Sequence, residues 1–295
     1  MKAIIFPHDE ASALELAAAA ASQGADEIVE VRVGNWDGSS AASAIAVLDL
    51  PDEVAAEDAF ESVLAWFQGQ APDIVMASPT RTNKTLVGRL AANAKASAIA
   101  NTVTIEDGVS STRYFGGVAN RNEKPTSDTA FYFIADGSYD PAPAQSAATD
   151  VIAWVEPKAS CKIVERKPIE KDSVDLNKSD IVVSCGRGFS EKDDLQMAYD
   201  LAGKIDAGVG CTRPLTEAVD WFPHESYIGV SGQIVKPRVF IAAGLSGQMQ
   251  HMVGANNSEC IIAINKDKDA PIFKQCDIGI VGDIKQVLPA LSAAL

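Results

Sequence analysis

A glycine turn followed by a histidine is the part of this chain best suited to chemistry. The apolar run 239–243 ends at Gly244. The residues that follow, LSGQMQH, predict a short helix that begins at Ser246 and Gly247. His251 would lie one turn into that helix. A helix N-terminus offers free N–H groups and a positive dipole end, which favour a phosphate. The spacing is G-x-S-G rather than the dinucleotide G-x-G-x-x-G, so the pattern indicates an anion-binding loop beside a histidine.

Two arginines elsewhere could add to an anion site. Arg187 lies between two glycines, which let a ligand approach the backbone closely, and Arg213 follows Thr212. A guanidinium group can bind a phosphate through two hydrogen bonds at once. From the residues alone, two alternatives stay open: Arg187 forms a surface ion pair at a turn, and Arg213 is a solvated residue before Pro214.

The elements that must position these side chains alternate in the second half of the chain. Apolar and periodic runs predict strands at 180–184, 239–243 and 260–264 and a helix at 193–204. Such alternation predicts a doubly wound parallel sheet, whose ligands bind at the carboxyl ends of its strands. The residues expected to converge at that edge each follow an apolar run: Arg187, His251, Asn265 and Asp283.

The first half of the chain also alternates. Its predicted strands and helices are 2–6, 11–22, 27–33, 57–68, 73–77 and 84–96. Residues 103–105 and 131–134 read as an antiparallel addition to this sheet, with a turn at 106–108. Residues 136–149 read as a loop, and 151–155 as a strand.

A charged stretch without periodicity, residues 163–176, separates the two halves. We place the domain boundary in it, near residue 170. The predicted fold class is therefore α/β with two domains: an N-terminal Rossmann-like α/β domain over residues 1–170, and a C-terminal doubly wound parallel-sheet domain over residues 171–295.

The composition of the chain argues against several classes of protein function. Of the 295 residues, 47% are hydrophobic and 22% are charged, as in a folded globular protein. The formal net charge of −15 argues against binding to nucleic acid or to an anionic membrane surface, both of which attract clustered Lys and Arg. No run approaches the roughly 18 apolar residues of a membrane span, and the N-terminal apolar run is too short for a signal peptide. We therefore expect a cytoplasmic, soluble protein without membrane insertion.

The cysteines do not suggest a metal site. They are Cys161, Cys185, Cys211, Cys260 and Cys276. No pair has C-x-x-C spacing, so the sequence predicts neither zinc nor an iron–sulfur cluster. Cys185 and Cys260 fall within apolar runs, and we expect both in the core.

Four segments of the second half resemble one known family. They are GLSGQMQH, AINKD, APIF and the final Asp of DIGIVGD, in that order and with matching gaps. The family is the electron transfer flavoprotein alpha subunit, and the resemblance covers roughly residues 179–295. The letters ASPTRTNKTLVGRLAANAKA and RYFGGVANR resemble it in the first half. GCTRP and HMVGAN are most similar to the branch linked to nitrogen fixation and carnitine metabolism.

This resemblance implies that the C-terminal domain binds FAD. It places Ser246 at the pyrophosphate, Arg213 and Ser231 beside the flavin ring, and His251 as a donor to the flavin O2 carbonyl. Ser231 stands where relatives often have Thr and keeps the hydroxyl, whereas Val230 replaces a glutamine and removes a polar side chain. The implied FAD-binding residues are Arg187, Thr212, Arg213, Ile228, Gly229, Val230, Ser231, Ser246, Gly247, Gln248, Met249, Gln250, His251, Asn265, Asp283 and Ile284.

The resemblance also implies a partner and a role. The chain would pair with an electron transfer flavoprotein beta subunit in a heterodimer, with the N-terminal domain as scaffold. It would be an electron carrier rather than an enzyme with its own substrate. It would take electrons from a flavin dehydrogenase such as an acyl-CoA dehydrogenase, with a quinone oxidoreductase as a candidate partner. Two alternatives stay open: a subunit of an electron-bifurcating complex that oxidises NADH, and a nicotinamide-binding enzyme on a similar fold, against which the missing G-x-G-x-x-G counts.

Overall fold

The structure, a computed structural model, describes residues 1–34, 36–114, 119–158, 163–165 and 176–295. The chain divides into two units, Met1–Lys167 and Pro168–Leu295. The predicted boundary near residue 170 lies outside the described residues, as does Cys161, and the two predicted domain ranges stay predictions.

A nine-stranded sheet forms the centre of the first unit. Its strands are β1 (Lys2–Phe6), β2 (Glu27–Val33), β3 (Ala44–Leu48), β4 (Ile74–Ala77), β5 (Ala98–Glu106), β6 (Val109–Tyr114), β7 (Ala119–Glu123), β8 (Ala130–Ile134) and β9 (Ala148–Val151). Their order across the sheet is β7-β6-β5-β8-β4-β1-β2-β3-β9. The run β3-β2-β1-β4-β8 is parallel throughout. Its first four strands have the Rossmann order 3-2-1-4, in agreement with the predicted Rossmann-like α/β domain, but β8 rather than β5 is the next neighbour of β4.

The helices described in this unit pack on both faces of the sheet. They are α1 (Glu10–Ser22), α2 (Phe60–Phe67) and α3 (Arg81–Asn93). Leu16 of α1 packs in one apolar cluster with Ile5, while Leu86 of α3 packs in the opposite cluster with Ile4. The predicted start of α3 at residue 84 was three residues late, because the Thr80 side chain caps the helix earlier in the chain.

The predicted antiparallel addition is only partly correct. β8 pairs parallel with both β4 and β5, whereas the antiparallel pairs are β5–β6 and β6–β7. The turn between β5 and β6 has positive φ at Asp107 and Gly108, as a tight hairpin requires. β8 returns only after a long excursion, which allows a parallel connection. β3 was missed, and the strand predicted at 151–155 is instead β9, which ends at Val151.

The second unit is built on a five-stranded sheet. Its strands are β10 (Ile181–Cys185), β11 (Gly208–Cys211), β12 (Val239–Ala243), β13 (Cys260–Asn265) and β14 (Ile278–Val281). The order is β11-β10-β12-β13-β14, and every pairing is parallel. The described helices are α4 (Gln196–Ile205), α5 (Arg213–Glu217), α6 (Met249–Met252) and α7 (Ile284–Ala294). The predicted doubly wound parallel sheet is therefore confirmed.

The side chains of the central strands alternate between two apolar clusters, one on each face of the sheet. Val183 and Ile241 point toward the cluster that contains α4 and α7, while Val182 and Phe240 point toward the opposite one. Both faces of β10 and β12 are thus covered, which explains why their residues other than Ser184 are apolar. Of the two cysteines predicted in the core, Cys185 is fully buried and Cys260 is only half-buried. Among the described residues, no helix is both long and apolar enough to cross a membrane.

Candidate functional site

The strand order of the second unit reverses between β10 and β12. These two strands are neighbours, but the chain leaves β10 for β11 on one side and leaves β12 for β13 on the other. Ligands of doubly wound sheets bind at such a switch point, outside the carboxyl ends of the strands. The loops that leave β10 and β12 there carry Arg187 and Ser246.

Glycines bring these two loops into direct contact. The N–H of Gly188 donates a hydrogen bond to the carbonyl oxygen of Gly244 at 2.9 Å. A Cβ atom at residue 188 would lie 2.6 Å from the Gly244 Cα, and one at residue 186 would lie 2.5 Å from the Gly244 oxygen. The glycines around Arg187 were expected to admit a ligand. Their described contacts show that they allow the neighbouring loop at Gly244 to pack closely against them.

A cavity of about 1410 Å³ opens at this edge of the sheet. It is larger than the roughly 300–1000 Å³ typical of sites for drug-sized ligands, so it suits an extended cofactor. The predicted residues that line it are Arg187, Thr212, Arg213, Val230, Ser231, Ser246, Gly247, Gln248, Met249, Gln250, His251 and Asn265. The tertiary structure therefore brings together side chains that are up to 78 positions apart, from Arg187 to Asn265.

Four predicted residues are not among those that line this cavity. Ile228 is buried, and Ile284, the first residue of α7, packs in the core. Gly229 lies against the Gln250 carbonyl, which a Cβ atom would approach to 2.6 Å. Asp283 caps α7 by accepting a hydrogen bond from the Lys285 N–H at 2.9 Å. Their contribution to cofactor binding stays a prediction.

The helix predicted to begin at Ser246 begins three residues later. α6 is a single turn with Gln248 as its N-cap residue. Gly247 has a φ of +81°, which a right-handed helix cannot include. Because one helical turn has a small dipole, the anion-binding character of this loop depends on its own N–H groups and on the nearby arginines.

Two amide side chains hold this loop from behind. The Asn265 Nδ2 donates to the Leu245 carbonyl oxygen at 2.7 Å, and the Gln275 Nε2 donates to the Gly247 carbonyl oxygen at 2.8 Å. These bonds leave the loop N–H groups available on the other side of the peptide units. Asn265, predicted as a cofactor contact, is thus engaged as a support for the loop.

His251 is held by two protein atoms. Its Nδ1 lies 2.8 Å from the Ile228 carbonyl oxygen, which can only accept, so Nδ1 carries the hydrogen. Its Nε2 lies 3.4 Å from the Ser184 Oγ. The residue is 7% exposed, and this burial lowers the pKa of His251 to about 4, against the opposing effect of the bond to Ile228. The imidazole is therefore neutral at pH 7, with Nε2 as an acceptor.

Arg213 and Glu217 form an ion pair at the cavity. The Arg213 Nε donates to the Glu217 Oε2 at 2.6 Å, and both side chains are partly exposed. This hydrogen bond, followed by the charge of Glu217, raises the pKa of Arg213. In contrast, Arg187 is exposed and makes no side-chain hydrogen bond or ion pair within the described residues. The two alternatives weighed from the sequence are thus reversed: Arg213, rather than Arg187, forms the surface ion pair.

Thr212 provides a buried polar atom without a partner. Its Oγ1 is shielded from solvent and makes no hydrogen bond within the described part of the chain. An orphaned hydroxyl of this kind costs about 1–3 kcal/mol unless a ligand satisfies it. Because Thr212 lines the cavity, this hydroxyl, the two arginines and the loop N–H groups fit a large anionic cofactor such as FAD.

The segment 227–233 forms the wall next to α6. The Val230 N–H donates to the Gln250 carbonyl oxygen at 2.9 Å, which joins the segment to the helix. The Ser231 hydroxyl lies 3.4 Å from the Tyr227 hydroxyl and is exposed to the cavity. The Val230 side chain is exposed and lines the cavity, so its position offers an apolar surface there.

Sequence reasoning missed further residues of this site, and three of them contact its predicted residues directly. Glu217 is four positions after Arg213 on a helix, a spacing that predicts an ion pair and could have indicated it. Ser184, opposite His251, and Gln275, behind Gly247, are far from their partners in sequence. No local pattern could have identified them.

The described residues contain no group of three or more His, Cys, Asp or Glu side chains that could hold a metal ion. Two free thiols lie side by side where β10 and β11 end, Cys185 and Cys211. Burial raises the pKa of Cys211 to about 12 and that of Cys185 well above its ordinary value. Both are therefore neutral core side chains.

Comparison with known proteins gives one consistent result. The family described as "Electron transfer flavoprotein FAD-binding domain" matches residues 175–256. "Putative electron transfer flavoprotein subunit YdiR" of Escherichia coli is 39% identical over 246 residues, covering 81% of this chain and 79% of that protein. "Protein FixB" of Escherichia coli and of Shigella dysenteriae serotype 1 are each 39% identical over 254 residues, covering 83% of this chain and 81% of theirs.

Proposed function

Because this chain belongs to the electron transfer flavoprotein family, we propose that it is the alpha subunit of such a flavoprotein and carries electrons through one bound FAD. The observation that carries this proposal is the large cavity at the switch point, which gathers Arg187, Thr212, Arg213 and Ser246. The FAD supplies the redox chemistry, while the protein binds it and sets its electrostatic surroundings.

The site residues have separate proposed roles. Arg187 and the N–H groups of the loop at Ser246 bind the phosphates, because both are free of other described partners and face one cavity. Thr212 donates its otherwise unpaired hydroxyl to the cofactor. Arg213 places a positive charge, and Ser231 a hydroxyl, beside the redox-active ring.

The donor role predicted for His251 needs a second proton. The Nδ1 hydrogen is used by Ile228, so only a protonated Nε2 could donate to a flavin carbonyl. Burial opposes this protonation, but a negative charge in the cavity would favour it by raising the pKa of the imidazole. We therefore propose that His251 is neutral beside oxidised cofactor and becomes a donor only when negative charge develops.

The name of the similar YdiR protein contains the word subunit, and we propose that this chain also works as one half of a heterodimer. Its partner is a beta subunit, and the first unit, Met1–Lys167, contributes the scaffold. The donor is a flavin dehydrogenase such as an acyl-CoA dehydrogenase, and a quinone oxidoreductase is a candidate acceptor. A cytoplasmic location stays a prediction from composition.

Co-expression with the beta partner tests the cofactor assignment. We expect a yellow complex that retains one FAD in this subunit, and a colourless complex would overturn the proposal. Arg187→Ala should weaken FAD binding about tenfold, because it removes a two-pronged phosphate contact. Arg238→Ala is the matched control, since Arg238 is also exposed but does not line the cavity. A second FAD together with NADH oxidation would instead indicate a bifurcating complex.

A further inference from the structure

A carboxylate lies where an anion site should avoid one. Glu217 lines the same cavity as Arg187, Arg213 and Lys266. Its side chain is 45% exposed, and its Oε2 lies 2.6 Å from the Arg213 Nε. An acidic side chain at a site for phosphates and for a ring that gains negative charge opposes binding. The presence of a carboxylate at this position therefore requires a physical explanation.

The geometry of the pair supplies this explanation. Arg213 and Glu217 are the first and last residues of α5, at the i, i+4 spacing that favours an ion pair. The bond uses Nε, so the Nη groups of Arg213 keep all their N–H donors within the described residues. The Thr216 hydroxyl donates to the Arg213 carbonyl oxygen at 2.9 Å and so fixes the start of this short helix.

We propose that Glu217 is a positioning residue that aims the Arg213 guanidinium and partly neutralises it, which sets the reduction potential of the cofactor below the value that Arg213 alone would give. This inference rests on the proposed function. An exposed ion pair contributes little to stability. Its importance lies in the cavity, where a bound cofactor excludes water and strengthens every charge interaction.

The test is the reduction potential of FAD in the complete heterodimer that carries Glu217→Gln in this chain. Glutamine keeps the size of the side chain and removes its charge. We expect reduced FAD to bind about fivefold more tightly relative to oxidised FAD, which raises the one-electron potential by about 40 mV. Glu217→Asp keeps the charge on a shorter side chain and should give a potential closer to the native one.

A double-mutant cycle tests whether Glu217 affects the reduction potential of FAD through Arg213. Arg213→Ala should lower the potential, and Glu217→Gln added to Arg213→Ala should change it much less than in the native background. Equal shifts of the potential in both backgrounds would overturn the positioning role. A folded Glu217→Gln protein in which the potential of FAD is lower than in the native protein would also overturn it, because removing the carboxylate should leave more of the Arg213 charge uncompensated.

The outcomes separate this inference from the proposed function. A native heterodimer without FAD would overturn both. A native heterodimer that holds FAD, with an unchanged potential in Glu217→Gln, would overturn only the role of Glu217. The folded state of each variant is checked by its thermal transition, which an exposed Glu→Gln change at this position should leave nearly unaltered.

Discussion

The Nδ1 of His251 donates a hydrogen bond to the carbonyl oxygen of Ile228, at 2.8 Å. This bond ties α6 to the segment 227–233 and so joins two walls of the cavity. It also selects the tautomer, since the proton that remains on a neutral ring must be on Nδ1. The sequence predicts that His251 donates a hydrogen bond to a ligand. While its imidazole is neutral, His251 instead donates to Ile228 and so connects two parts of the site.

Buried His251 should make the stability of the protein depend on pH. Its pKa is lowered to about 4 by burial, whereas an unfolded histidine has a pKa of about 6.5. The unfolded chain therefore binds more protons than the folded protein between these two pKa values. The contribution of His251 to the free energy of unfolding is fully present above pH 6.5 and is lost as the pH falls toward 4. We expect a loss of roughly 2–3 kcal/mol between pH 7.5 and 4.5 from this residue, measured by urea unfolding of cofactor-free protein.

His251→Asn provides the control for this pH dependence. The asparagine amide can donate to the Ile228 carbonyl oxygen but does not titrate in this range. The carboxylates contribute equally to both proteins, so the difference between the two pH profiles isolates the histidine. Parallel profiles would contradict the assigned burial of a neutral imidazole.

Gly247→Ala should disrupt the loop between β12 and α6. Gly247 has a φ of +81°, and a Cβ atom there would lie 2.5 Å from the Ile272 Cα. We expect a loss of about 1–3 kcal/mol in the free energy of unfolding, together with weaker FAD binding. Gly203→Ala is the matched control: in α4, a Cβ atom at residue 203 meets nothing within 4 Å, so this change should stabilise the protein by about 0.5–1 kcal/mol. A harmless Gly247→Ala would refute the described loop.

Thr212→Val should separate ligand binding from folding. Valine has nearly the shape of threonine and removes a buried hydroxyl that has no partner within the described residues. The cofactor-free protein should be equally stable or more stable, while its dissociation constant for FAD should rise about fivefold to tenfold. Thr216→Val is the contrasting change, because it removes the bond to the Arg213 carbonyl oxygen and should cost about 1 kcal/mol of stability. Unchanged FAD binding in Thr212→Val would show that this hydroxyl has no ligand.

Glu30→Gln should strongly destabilise the first unit. The fully buried Glu30 accepts hydrogen bonds from the Arg32 Nε at 2.6 Å and the Ser40 Oγ at 2.5 Å. Glutamine leaves the Arg32 charge buried without a counter-charge, and breaking such a pair costs about 3–5 kcal/mol. Glu27→Gln removes the partly exposed pair with Lys2 and should cost less than about 1 kcal/mol in the same denaturation experiment. Equal effects of the two changes would contradict the burial of Glu30.

Local patterns in the sequence predicted most of the elements. The strand at Val239–Ala243 and the strand at Glu27–Val33 have the predicted bounds. The first is a continuous apolar run, which suits a covered parallel strand. The second is rich in β-branched residues, and its buried Glu30 and Arg32 form an ion pair with each other. β3 and β9 were not predicted correctly. β3 is the apolar run Ala44–Leu48, whose composition could have indicated a strand. β9 is exposed along its length, and its pairing with β3 rather than its own composition selects the strand conformation.

By itself, the sequence determined the α/β class, the parallel sheet of the second half and the glycine loop that leads to His251, since these follow from periodicity and from backbone sterics, which are local. Only the tertiary structure decided which side chains meet. It paired Arg213 with Glu217, placed Ser184 opposite His251, and turned the Asp283 side chain to cap α7. Hydrogen bonds and ion pairs act over a few ångströms, so their partners are chosen by the packing of strands that are distant in the chain.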